Sequence, residues 1–371
     1  MSRHSAQPDY VLAAVVAILI MFGLVMLSSA GSVLGFQRYG DSNYFLKKQL
    51  IAVAIGLIGC YIAYRIDYRF WRKWSVPIFL VSLGLLVVVF LPGFGSSLLG
   101  ARRWIQLGGF AFQPSELLKL ALIFYLASWF EQRERMLGDL QQGLIPFLTT
   151  LGIAAGLIVL EPDLGTTMVL VLIGIMMFYV AGGSAKHLLG LGVAGVAVLA
   201  VIIKIAPYRA QRFTVFLNPS LDPQGIGYHI NQALLAIGTG GIFGLGLGHS
   251  RQKFNYLPEP AGDSIFAVTA EELGFVFVLV FLATWIAFLY RGISVAKEAP
   301  DRFGRLVATG IVSWLGIQAL FNMAALSGFL PLTGIPLPFM SYGGSAMIMN
   351  LIAVGVLLNI SRAVREPGRR S

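Results

Sequence analysis

The chain has 371 residues, of which 57% are hydrophobic and only 12% charged, and its formal net charge is +10. Soluble domains are near half apolar and a quarter charged, so this composition excludes a soluble enzyme or binding module and identifies an integral membrane protein. One cysteine excludes an internal disulfide, and four histidines without HExxH or paired spacing argue against a zinc centre.

Apolar runs of the ~17 to 25 residues needed to cross a ~30 Å hydrocarbon core recur along nearly the whole length. They predict about ten helices: Val11–Ala30, Gln49–Ile66, Val76–Leu91, Glu116–Phe130, Leu144–Leu160, Thr166–Ala181, His187–Ile205, Ser264–Tyr290, Arg305–Leu326 and Tyr342–Ile360. The first run lacks a small-residue cleavage site and is read as a retained helix, not a signal peptide. No short alternating strands of a membrane barrel are expected. Basic clusters follow the second span (Arg65, Arg69, Arg72, Lys73), the eighth (Arg291, Lys297, Arg302, Arg305) and the tenth (Arg362, Arg365, Arg369, Arg370). An even number of spans places all three beside the N-terminus, and the positive-inside rule makes that side, with both termini, cytoplasmic. The net charge is then a matter of topology, and no nucleic-acid partner is expected. Residues 1–371 are taken as one all-α, polytopic transmembrane domain.

The first external connection, Pro92 to Ser115, carries Arg102, Arg103 and Trp104. They form either an anion site or part of an aromatic belt with snorkelling arginines. Pro114 and Ser115 begin the next helix, where Glu116 suits the first turn and Lys119, one turn on, either pairs with a carboxylate or helps hold an anion. Glu161 and Asp163 stand in the short EPDLG turn between the fifth and sixth spans, facing water or the mouth of a cavity.

The second external connection, about Ala206 to Gly262 between the seventh and eighth spans, holds Arg209, Arg212, Arg251 and Lys253. Its stretch HINQALLAIGTGGIFGLGLGH is too rich in glycine for an ordinary span and is expected to be interfacial or re-entrant. From Gln252 to Gly274, QKFNYLPEPAGDSIFAVTAEELG, four carboxylates (Glu259, Asp263, Glu271, Glu272) lead into the eighth span, where charge is costly. Asp263 lies at the rim and is the catalytic candidate. Glu271 and Glu272 fall ~12 to 14 Å deeper along a continuous helix and are expected to be structural, paired with Lys119 or an arginine. A last external cluster, TGIPLPFMSYGGSAMIMN, combines helix-breaking Pro336 and Pro338 with the hydroxyls of Ser341 and Tyr342 and with Gly343 and Gly344. Amides at the start of the tenth helix could hold a phosphate there, and tight packing by small residues explains the glycines equally well.

Together, GARRWIQLG, QPSELLKLAL, EPDLGTTMVL, the run from QRFTVFLNP to GLGLGHSRQKFNYLPEP, DSIFAVTAEELGF and TGIPLPFMSYGGSAM resemble the SEDS family of bacteria. The FtsW and SpoVE branch is nearest and RodA next, over nearly the whole chain. The resemblance implies a multi-pass glycosyltransferase of the cytoplasmic membrane that polymerises lipid II into peptidoglycan on the outer face. It also implies a class B penicillin-binding protein transpeptidase as partner, with other division or elongation membrane proteins. The family's essential aspartate maps onto Asp263, its arginine–tryptophan motif onto Arg102, Arg103 and Trp104, and its PSELLK lysine onto Lys119. The chain departs from the family where the aspartate is commonly preceded by His-Thr and followed by an aromatic residue; here Gly262 and Ser264 flank it. It departs again at LLGARRWI, where an Asn-Gly is frequent.

Such chemistry needs a base, stabilisation of a departing lipid pyrophosphate, and a groove at membrane level. Asp263 is assigned as base, because partial desolvation disfavours its charged form and makes it a better proton acceptor. Arg102, Arg103, Lys119, Arg209, Arg212 and Lys253 are candidates for the pyrophosphate, with Trp104, Glu259 and Ser341 at the substrate. A divalent cation, Mg2+ or Mn2+, is an open alternative with Asp263 or Glu259 as ligand. A lipid flippase or transporter and a non-catalytic scaffold are the competing readings. The absence of two similar halves with matching broken helices counts against the transporter.

Overall fold

The computed structural model describes residues 7–91, 95–98, 101–107, 110–184, a scatter of positions between 186 and 222, and 225–364. Its helices are α1 (Tyr10–Ala30), α2 (Ser32–Tyr39), α3 (Tyr44–Arg65), α4 (Arg69–Val89), α5 (Pro114–Gln132), α6 (Ile145–Leu160) and α7 (Leu164–Val180). They continue with α8 (Ile226–Thr239), α9 (Ile265–Glu298), α10 (Arg302–Leu326) and α11 (Gly344–Val364). Every predicted span but the seventh coincides with one of them; His187–Ile205 lies largely outside the described residues. Among the described residues, seven helices are long and apolar enough to cross a membrane, and α7 is a shorter apolar helix beside them.

The apolar runs explain the helices, and burial sorts them. In α10 and α11, 67% of the spanning window is buried, against 28% in α3 and α4, so the last two helices sit at the centre together with the largely buried α5. α10 packs against α5, α7 and α9, while α11 packs along α3. The α3–α11 contact uses small residues in place of interlocking large ones. A Cβ on Gly355 would stand 2.3 Å from the Cys60 carbonyl oxygen, so the backbones approach as only glycine allows.

Polar residues close the cytoplasmic end. Asp9 caps α1 by accepting the Leu12 amide, pairs with Arg291, and donates its own amide to the Ser361 hydroxyl oxygen at 3.0 Å. Asp301 takes the Tyr68 hydroxyl at 2.7 Å and Arg69 at 2.9 Å, while Asn359 accepts the Tyr68 amide. These contacts gather the start of α1, the α3–α4 and α9–α10 corners and the end of α11, as the positions of the basic clusters predict.

The external end departs from a purely helical expectation in two places. In the first connection, β1 (Gly95–Leu98), β2 (Ala101–Leu107) and β3 (Phe110–Phe112) form an antiparallel meander with β2 central, pairing Ile105 with both Gly95 and Phe112. The eighth span is the second. α9 is interrupted at Gly274, whose φ of 75° is left-handed, so Ile265–Leu273 and residues 275–298 are separate helical pieces. The second piece alone rises ~36 Å and suffices to cross the bilayer. Glu271 and Glu272 therefore precede the spanning piece, contrary to the continuous helix predicted.

What surrounds these two glutamates is the glycine-rich stretch. After α8, residues 241–246 run beside the break in α9: Leu245 and Gly246 donate to the carbonyls of Glu271 and Glu272, and Phe275 and Val276 donate to those of Gly241 and Ile242. A Cβ on Gly240 would stand 2.0 Å from the Ala270 oxygen, one on Gly244 2.2 Å from the Glu272 oxygen, and one on Gly274 2.2 Å from the Gly244 nitrogen. The glycines thus serve a crossing of two backbones. Side chains complete it. Glu272, fully buried, binds Lys253 at 2.9 Å, Ser29 at 2.6 Å and the Gly248 amide at 3.0 Å. Glu271 accepts from the Ser250 hydroxyl and from the amides of Arg251 and Gln252. Both carboxylates are thus engaged within the protein, and the cation paired with Glu272 is Lys253, not Lys119 or an arginine.

Breaking a buried pair by removing one partner costs ~3 to 5 kcal/mol, because the remaining charge is uncompensated. Lys253→Met should lower the thermal unfolding midpoint of the detergent-purified protein sharply. Lys253→Met with Glu272→Gln should recover much of the loss; a double variant as unstable as the single one would count against the pair.

Candidate functional site

Asp263 stands in the tight loop between Leu257 and α9. The Glu259 carbonyl accepts the amides of Gly262 and Ser264, curling the chain so that Asp263 is presented half-buried at the external rim. α10 reaches this loop from below. Gln318 and Asn322, one turn apart and both buried, project from the apolar external half of this helix. Asn322 Nδ2 donates to the Asp263 carbonyl at 2.8 Å and to the Ile335 carbonyl at 2.7 Å, and Gln318 Nε2 donates to the Pro336 carbonyl at 2.9 Å. One helix thus fixes both the aspartate loop and the 328–343 loop. The Tyr342 amide adds a direct tie to the Ala261 carbonyl at 2.8 Å. Gly334, at φ 69°, faces the aspartate: a Cβ there would stand 3.2 Å from Asp263 Oδ2.

Lys119 belongs to this frame. Its Nζ binds Glu116 at 2.8 Å and Gln318 Oε1 at 2.9 Å, lies 4.8 Å from the Trp314 ring centroid, and is 2% exposed. Trp314 Nε1 donates to the same Gln318 oxygen. The choice left open in the sequence is decided for a carboxylate partner, and Lys119 acts on the site through Gln318. Lys253 is likewise a correction. Its three ammonium hydrogens go to Ser29, Gly248 and Glu272, so burial and saturation remove it from any anion site. Ser341 is corrected as well: it is buried, its hydroxyl accepts the Leu337 amide, and its carbonyl accepts Gln49.

The sheet docks on the EPDLG turn. Arg103 Nε donates to the Glu161 carbonyl at 2.9 Å, its Nη2 to the Pro162 carbonyl, and its Nη1 lies 3.6 Å from Asp163. Much of its donor capacity is engaged in holding β2 to the α6–α7 corner. Asp163 caps α7 by accepting from the amide and hydroxyl of Thr166. Here too the corner meets the 328–343 loop: a Cβ on Gly165 would stand 2.8 Å from the Thr333 carbonyl oxygen. Trp104 follows on β2, half-buried and paired with Ser96. Arg102 pairs with Ser97 in the same strand, and its side chain lies outside the described residues, as do Arg209 and Arg212.

Four contributors were missed in the sequence. Gln318 and Asn322 had a signal, being polar residues one turn apart within a span. Arg38, on α2, lies 3.8 Å from Glu259, and His229 Nε2 lies 2.6 Å from the Ser264 hydroxyl; neither has a local signature. Among the described residues, no three His, Cys, Asp or Glu side chains converge as a metal site. The arrangement as a whole is a carboxylate held over a rigid backbone frame at the outer rim, suited to accepting a proton from a polar group at membrane level.

A family model described as cell cycle protein, covering FtsW, RodA and SpoVE, matches residues 9–366. Stage V sporulation protein E of Bacillus subtilis (strain 168) is 43% identical over 365 residues, 98% of this chain and 100% of that protein. A probable peptidoglycan glycosyltransferase FtsW of Geobacter sp. (strain M18) is 43% identical over 357 residues, 96% of this chain and 97% of that one. Among solved structures, a chain from a peptidoglycan synthase complex that coordinates polymerization and crosslinking superposes with a TM-score of 0.80 at 30% identity, covering 97% of this chain and 99% of that one. The rod shape determining protein RodA of Thermus thermophilus gives 0.71 at 28%, covering 97% and 98%.

Glu161 provides a test of the corner. Its carboxylate is 1% exposed and neither oxygen has a hydrogen-bond partner. Burial, and secondarily the charge of Asp163, push it from 4.5 up to about 8, against the opposing pull of Arg103. Between these values the folded chain keeps a proton that the unfolded chain has released, so this group's contribution to stability falls as pH rises from 4.5 to about 8. Glu161→Gln should unfold at a higher temperature than wild type at pH 8.5, with the difference shrinking towards pH 5. Parallel melting curves across that range would refute the assignment.

Proposed function

The chain belongs to the FtsW, RodA and SpoVE family of cell cycle proteins, and on that premise we propose that it is a peptidoglycan glycosyltransferase of the bacterial cytoplasmic membrane, polymerising lipid II on the outer face. The observation that carries this reading is the clamping of Asp263. Asn322 and Gln318 hold its loop and the 328–343 loop on one helix, while the carboxylate itself remains at the external rim. A scaffold would have no need of such an arrangement.

The geometry supports the following course. Asp263 takes the proton from the attacking sugar hydroxyl of one lipid-linked disaccharide. The freed oxygen bonds to the anomeric carbon of the second, and the bond from that carbon to the lipid pyrophosphate breaks. Lys119 and Lys253 are engaged within the protein, so the departing charge falls to Arg102, Arg209 and Arg212, with Arg38 joining them from α2. Trp104 offers a stacking surface beside β2. A divalent cation would be a further source of positive charge here, since such ions need only one or two protein carboxylates when a ligand's phosphates supply the other oxygens. Asp263 or the partly exposed Glu259 would hold Mg2+ or Mn2+, which when bound neutralises charge on the leaving group. The partner is a class B penicillin-binding protein transpeptidase, with other membrane proteins of division or elongation around it; likeness to a chain from a synthase complex coordinating polymerization and crosslinking supports this.

The purified chain, incubated with lipid II with and without the transpeptidase, should yield glycan polymer, and Asp263→Asn should lose at least ~100-fold in rate with unchanged melting. Chelation should slow the wild type and Mn2+ restore it. Lipid movement across a vesicle without polymer would overturn the reading.

Gly334→Ala combines a strained φ with a methyl group against the carboxylate. It should lower kcat more than ~10-fold while leaving the affinity for lipid II near wild type. Equal loss in both would place Gly334 at the substrate instead.

A further inference from the structure

The hydroxyl of Ser264 is used in an unusual way. Ser264 is the N-cap of α9, where a serine side chain ordinarily accepts an amide of the first turn, yet it makes no such cap bond. It donates to the Pro258 carbonyl at 2.7 Å, closing the loop that carries Asp263, and lies 2.6 Å from His229 Nε2. A hydroxyl has one proton to give. With that proton on the Pro258 carbonyl, the contact to His229 is favourable only if the imidazole donates, which assigns the hydrogen of His229 to Nε2. The chain of donation therefore runs from α8 through His229 Nε2–H to Ser264 Oγ and on to the Pro258 carbonyl. Ser264 is fully buried and adjoins Asp263, so what fixes Ser264 fixes the Cα of the aspartate.

We propose that His229 is a positioning residue for Asp263, acting through Ser264 to keep the 258–264 loop in the conformation that sets the carboxylate above Gly334. α10 holds the same loop from the other side through the Asp263 carbonyl, so the aspartate is gripped between two helices. Only a hydrogen-bond donor is required at position 229, so glutamine can substitute for histidine. This inference rests on the reading of Asp263 as the base.

The test is a double-mutant cycle on the full chain with lipid II as substrate, with melting measured for each variant. His229→Ala and Ser264→Ala should each lower kcat ~10-fold with KM within about twofold of wild type. The double variant should fall no further than either single one, because both remove the same connection. His229→Gln should restore at least half of the wild-type kcat. Multiplicative losses, a wild-type kcat in His229→Ala, or a His229→Gln as impaired as the alanine variant would each overturn the role. If Ser264→Ala fails to fold, the comparison of His229→Ala with His229→Gln decides alone. An inactive Asp263→Asn beside a normal His229→Ala defeats only the positioning role; an active Asp263→Asn defeats the reading of the site itself.

Discussion

The external half of this protein depends on two adjacent buried carboxylates. Glu271 and Glu272 sit where α9 breaks, and between them they bind Ser29, Gly248, Ser250, Arg251, Gln252 and Lys253. An isolated buried carboxylate is prohibitively costly in this environment, so the loop must wrap it and bring an ammonium group with it. That requirement gives a long, glycine-rich connection one conformation. It fixes the stretch from Gly240 to Lys253, and with it the approach to the loop that presents Asp263.

The second constraint is made of backbone carbonyls. Gln318 and Asn322 donate to Pro336, Ile335 and Asp263, and Lys119 with Glu116 and Trp314 holds Gln318 in place. Positive charge that resembles substrate-binding machinery in the sequence is thus spent on rigidity. The division suits the chemistry: precise placement of one carboxylate needs a stiff support, and neutral amide donors provide it without an unpaired charge near the reacting atoms.

Arg103 and Glu161 show how local chemistry misleads when read without neighbours. Arg102, Arg103 and Trp104 look like one anion-binding subsite because they are consecutive, but Arg103 turns to the α6–α7 corner and binds its carbonyls. Glu161 looks like an ordinary solvated turn residue, yet its carboxylate is buried at the corner near Asp163 and Arg103. Ser264, a departure from the family pattern beside the aspartate, acquires its meaning from His229 on a helix 35 residues earlier.

The sequence alone determined nine of the ten predicted spans, the seventh lying largely outside the described residues, together with the sidedness, the family resemblance and the aspartate just ahead of the eighth span. Each of these rests on local information: apolar length, the placement of arginines and lysines, and a motif order that survives in one dimension. It also placed Glu271 and Glu272 in a structural role, since charge in an apolar stretch demands a partner whatever the fold. It did not determine which partner. Lys253 and Lys119 are both cations near the same face, and only the packing of α1, α5, α9 and α10 decides that one closes on Glu272 and the other on Glu116. The break at Gly274, the sheet, and the grip of His229 and Asn322 on the aspartate loop were likewise decided by tertiary structure. They depend on close approach of segments far apart in the chain, and periodicity along the chain carries no record of such distances.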